Sequence, residues 1–149
     1  MAMDSTSTTA TLCSEGIMAE GQGRPEEALK LYTQAWEQRQ DDYDACVAAH
    51  FLARAQERPE DNLRWNQESL ERANAVGDER VTQFYPSLYL NMGLAHELMG
   101  NAVEAGRYYK LAARKVDDLP EGPYGDMLRG GIAEAQLRIA GAPDEAAES

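Results

Sequence analysis

The chain has 149 residues, 43% of them apolar and only two of them Phe, with Ala, Glu, Leu, Gln and Arg abundant, so the composition favours one all-α domain with a real core. Twenty-six acidic against fourteen basic side chains give a formal net charge of -12, a sign that repels phosphate backbones and anionic lipid and argues against nucleic acid and membranes as partners. No run approaches about eighteen apolar residues, the start "MAMDSTSTTATL" lacks the basic and apolar regions of a signal peptide, and Cys13 and Cys46 form no C-x-x-C pattern, so a cytoplasmic protein with buried, reduced thiols is expected.

Taken in chain order, residues 1–8 read as a disordered N-terminus and structure is expected from residue 9. Two helix starts then repeat: "RPEEALKLYTQAWEQR" from Arg24 and "RPEDNLRWNQESLERA" from Arg58, 34 positions apart. In both, Pro stands at the first helical position, where its missing N–H costs nothing, and the acidic residues behind it meet the positive end of the helix dipole. Gly23 ends the helix before the first of these starts.

Around "ANAVGDERVTQFYPS" nine residues are added to the 34-residue spacing. Gly77 is placed to stop one helix and Asp78 to start the next, while Pro86 begins or kinks the helix carrying "SLYLNMGLAHELM". The sequence leaves open whether the added residues lengthen helices or form a loop. Gly100 then ends that helix, and Asn101 and Glu104 have the spacing of a capping box at the start of another. Gly93 and Ala105 are twelve apart, as are Gly16 and Ala28, and each glycine is expected to face its alanine where paired helices approach closely.

These residues resemble the tetratricopeptide repeat, a helix-turn-helix unit of about 34 residues. Tyr89, Gly93, Gly100, Ala105, Tyr109 and Ala112 carry the best copy; Leu12, Gly16, Ala19, Gly23, Ala28, Tyr32 and Ala35 carry the first, with Glu15 where Leu is usual. The middle copy is held mainly by register, with His50 for Gly and Asn62 for Ala. The resemblance implies three hairpins over residues 9–118, in a right-handed superhelical stack of antiparallel helix pairs, an α-solenoid of about seven helices. It is similar to the longer-helix members of that superfamily.

After the loop "VDDLPEGPYGD", the segment Asp126 to Gly141 reads as a capping helix that covers the open end of the stack, so residues 119–141 form loop and cap, and 142–149 a disordered acidic tail. Gly130 and Gly131 inside that helix are unfavourable by roughly 1 kcal/mol each, which a close contact or a bend would explain.

Catalytic patterns are weak. No glycine-rich nucleotide loop follows a strand, and His50 and His96 occupy packing positions with no third ligand spaced to join them, so no metal, cofactor or enzyme activity is expected. Trp36 and Trp65 read as packing against the neighbouring repeat, Tyr89 and Tyr109 as core, and Tyr85 and Tyr108 as freer rings.

The resemblance instead implies a binding scaffold whose concave face is lined by first helices. Its groove positions fall on Cys13, Ile17 and Glu20, then Val47, Phe51 and Arg54, then Leu90, Leu94 and Glu97, with Asn91 at a position that contacts peptide backbone. Repeats of the family that clamp acidic C-termini carry Lys and Asn where this chain has Cys13, Ile17, Val47, Phe51, Leu90 and Leu94, so that clamp is not expected, and an apolar peptide or partner helix is the expected ligand. The alternative is a homodimeric module whose groove is filled by its own segments or by a second copy.

Overall fold

The computed structural model describes residues 7–142, and residues 1–6 and 143–149, most of the two expected disordered ends, lie outside the described residues. Among the described residues all regular structure is helical, in two compact units that meet between Asp78 and Glu79, inside the segment that carries the added residues. The first unit contains α1 (Thr8–Gly21), α2 (Pro25–Glu37), α3 (Asp42–Arg54) and α4 (Pro59–Val76). The second contains α5 (Glu79–Thr82), α6 (Tyr85–Leu98), α7 (Ala102–Val116) and α8 (Pro123–Ile139). The count exceeds the expected seven through α5, a four-residue helix. The added residues thus both lengthen α4 to 18 residues and build α5.

Helix ends in the first unit follow their sequence signals. Ser7 Oγ accepts the Ala10 N–H at 2.9 Å, so α1 starts slightly before the expected position, at Thr8. Pro25 and Pro59 open α2 and α4 with two acidic residues in each first turn. A reciprocal cap starts α3: Asp41 Oδ1 accepts the Asp44 N–H at 2.8 Å, and Asp44 Oδ2 accepts the Gln40 N–H at 3.0 Å. Gly77, with φ of 63°, stops α4 in the left-handed region that an L side chain rarely enters.

Two antiparallel pairs build this unit, α1 with α2 and α3 with α4, and α3 also lies against α1 and α2. Thr9 Oγ1 donates to the Ala35 carbonyl at 2.9 Å across the first pair. Across the second, Ser69 Oγ donates to the Cys46 carbonyl and Asn62 Nδ2 to the Ala53 carbonyl, both at 2.8 Å. Trp36 and Trp65 meet edge to face at 5.1 Å, the packing role expected of them.

In the second unit α6 pairs with α7, and α8 covers α7 and part of α6. Ala112, Val116, Leu119, Leu128 and Ile132 form its core, with Tyr89 and Leu90 packed alongside. Pro86 lies in the first turn of α6 and begins rather than kinks it. The capping box at Asn101 is corrected: the Asn101 side chain makes no cap bond, its Nδ2 lying 3.1 Å from His96 Nδ1, and Glu104 pairs with Arg107 at 2.8 Å. With His96 beside the Asn101 amide and Arg107 on the Glu104 carboxylate, both side chains are engaged away from the helix start. No helix among the described residues is long and apolar enough to cross a membrane.

Candidate interaction faces

Each unit is keyed by one glycine, whose nearest neighbour is a tyrosine four residues past the expected alanine. A Cβ on Gly16 would lie 2.7 Å from Tyr32 Cδ1, and one on Gly93 would lie 3.0 Å from Tyr109 Cζ. The glycines therefore make a slot for a tyrosine ring, while Ala28 and Ala105 are buried small residues beside it. Both tyrosines are fully buried, so their hydroxyls need acceptors, and both find a glutamate twelve residues earlier.

Tyr32 Oη donates to Glu20 Oε1 at 2.6 Å, and Arg54 Nη2 donates to Glu20 Oε2 at 2.6 Å. In the second unit Tyr109 Oη donates to Glu97 Oε1 at 2.7 Å, while Arg138 donates through Nε at 2.8 Å and Nη2 at 3.0 Å to the two oxygens. Each carboxylate thus ties its own hairpin to the next helix, α3 or α8. Arg138 holds the Glu97 carboxyl below its ordinary range, and partial burial opposes that shift. Burial, with the bond to glutamate second, pushes both phenols well above theirs.

The expected groove residues divide sharply. Ile17 and Leu94 are 38% and 36% exposed at equivalent places, each directly after the keyed glycine and three residues before the tied glutamate. Leu98 extends the second face and is 67% exposed. Asn91 is half-buried on α6. Leu90 is packed against the core that α8 completes.

Val47 and Phe51 are corrected from groove lining to core, at 2% and 3% exposure. The reason is aromatic packing: the Phe51 ring stacks on Tyr32 at 5.3 Å, with His50 edge-on at 4.9 Å and the Arg54 guanidinium 5.3 Å above it. Arg54 and Glu97, two of the expected groove residues, are spent on the ties within their own units. Sequence reading missed Tyr32, Tyr109 and Arg138 as members of these ties. The shared Glu-to-Tyr spacing was a visible signal for two of them.

The two cysteines and two histidines are packed. Cys13 and Cys46 are free and buried, and burial pushes their thiols up to about 12 and about 11. His50 is buried with its Nδ1 unpartnered, and burial, helped by Arg54, lowers its pKa to about 4. His96 stacks on Tyr108 at 5.5 Å, and burial lowers its pKa too. Compared with known families, curated proteins and solved structures, the chain matches none.

Proposed function

We propose that the protein is a non-catalytic interaction scaffold of tetratricopeptide-like helix pairs in a superhelical stack, which takes an apolar peptide or partner helix against its first helices. The carrying observation is that the same position after the keyed glycine exposes an aliphatic side chain in both units, Ile17 on α1 and Leu94 on α6. Singly exposed apolar residues are ordinary. Equivalent ones beside a carboxylate already held by tyrosine and arginine make a face whose polar neighbours are preset, so a ligand gains apolar contact without reordering them. Leu98, one turn after Leu94, widens the apolar strip on α6.

The reading is tested by selecting peptides from a displayed library against the full chain and rescreening them on the Ile17→Glu/Leu94→Glu variant. Both positions are surface sites, so the variant retains its helical content. The expected result is enrichment of apolar sequences that the variant no longer holds. Equal capture by wild type and variant would refute the assignment of these faces.

A further inference from the structure

Helix α8 stands to α6 and α7 as α3 stands to α1 and α2. The marker is the arginine that reaches back to the tied glutamate: Arg54 to Glu20, Arg138 to Glu97. Setting Arg138 on Arg54 aligns the two helices residue by residue. Their inward positions agree, with Ala48 on Ile132 and Phe51 on Ala135, all four buried.

Their outward positions differ. Cys46, Ala49 and Ala53 are buried on α3, whereas Gly130, Ala133 and Leu137 in the same places on α8 are exposed, Leu137 to 77%. On α3 this strip is covered by α4, which adds an Arg72 to Asp42 pair at 2.9 Å to the Ser69 and Asn62 bonds. Asp126 holds the place of Asp42, and α8 is the last of the described helices. Gly130 supplies an independent observation. Gly16 and Gly93 admit rings and Gly131 lies against Leu90, but a Cβ on Gly130 would meet nothing within 4 Å. A mid-helix glycine is unfavourable, and this one serves no contact in its own unit.

Charge selects the occupant. Exposed Asp126 and Glu134 belong to the bare face, while Arg138 is committed to Glu97 and Arg129 is shared between Asp117 and Asp126 at 3.6 and 3.7 Å. A second α8 crossing antiparallel at Gly130, the point of closest approach, would set Asp126 against Glu134, acid to acid. Residues 140–149, with Asp144, Glu145 and Glu148 and no base, have the same sign. We infer that the Asp126, Gly130, Ala133 and Leu137 strip is a docking seam for a basic amphipathic helix of another protein. That helix lies antiparallel to α8 as α4 does to α3, with a small or hydroxyl side chain over Gly130 and a Lys or Arg at Asp126. The seam rests on α8 alone and is independent of the faces at Ile17 and Leu94.

The probe is a fluorescent peptide of residues 102–116, a second-helix sequence with four basic and one acidic side chain, titrated with the full chain. A counterpart has Arg107, Lys110, Arg114 and Lys115 replaced by Glu. Saturable binding of the basic peptide is expected, at least tenfold weaker for the counterpart and at least tenfold weaker to Gly130→Trp or Leu137→Glu protein of unchanged helical content. Asp126→Asn should weaken it severalfold. No saturable binding, equal binding of both peptides, or binding unchanged by Gly130→Trp overturns the seam. A dimer by light scattering that Gly130→Trp dissolves would assign the strip to a second copy and also overturn it.

Discussion

The ring of Tyr109 fills the space that a side chain on Gly93 would need, and its hydroxyl reaches Glu97 one turn farther along the same helix. Tyr32, Gly16 and Glu20 repeat that relationship in the first unit. Gly93→Ala or Gly16→Ala must displace a buried ring and should destabilise by about 1–3 kcal/mol, despite alanine's better helix propensity. Gly130→Ala, which meets open space, should instead stabilise by up to ~1 kcal/mol. Chemical denaturation of the three variants checks both signs.

The tie at Glu97 is a partly exposed ion pair joined to a buried phenol. Screening limits the Arg138 contribution to about 0.5–1 kcal/mol. Tyr109→Phe should cost about 1 kcal/mol, and Glu97→Ala more, about 1–3 kcal/mol, because it leaves a buried hydroxyl without its acceptor. A double-mutant cycle on Glu97 and Tyr109 measures the coupling directly.

His50 gives a pH signature. Its folded pKa of about 4 lies below the ordinary 6.5, so the unfolded chain binds the proton first as pH falls. The neutral buried ring therefore contributes full stability above 6.5, and that contribution is lost between 6.5 and about 4. The loss should be at most about 3 kcal/mol. His50→Gln should flatten stability across that window, as read by urea midpoints at several pH values.

The buried thiols should react slowly. Cys13 and Cys46, both raised by burial, should be alkylated at pH 8 at least tenfold more slowly in the folded chain than in denaturant. Mass spectrometry of the quenched reaction distinguishes the two.

What the sequence revealed was its punctuation. Pro25, Pro59, Gly77 and Gly100 act through their own backbone chemistry, so their effects are local and readable. Partner choice is not local. Gly93 was matched to Ala105 by spacing, and spacing did not reveal that a long aromatic side chain from one turn farther along α7 fills the gap. Phe51 and Val47 sit at positions that face a groove in the resembled repeat, but the Tyr32 ring draws Phe51 into the core. Asn101 has the right letter for a cap and turns to His96 instead. Arg138 was invisible because its role depends on α8 being laid beside α6 and α7, which no short-range signal specifies.

The most direct test is to map a selected apolar peptide onto the isotopically labelled chain by NMR. The proposal predicts chemical-shift changes concentrated at Ile17 on α1 and at Leu94 and Leu98 on α6. Changes concentrated on α2, α4 and α7, with Ile17 and Leu94 unmoved, would contradict it.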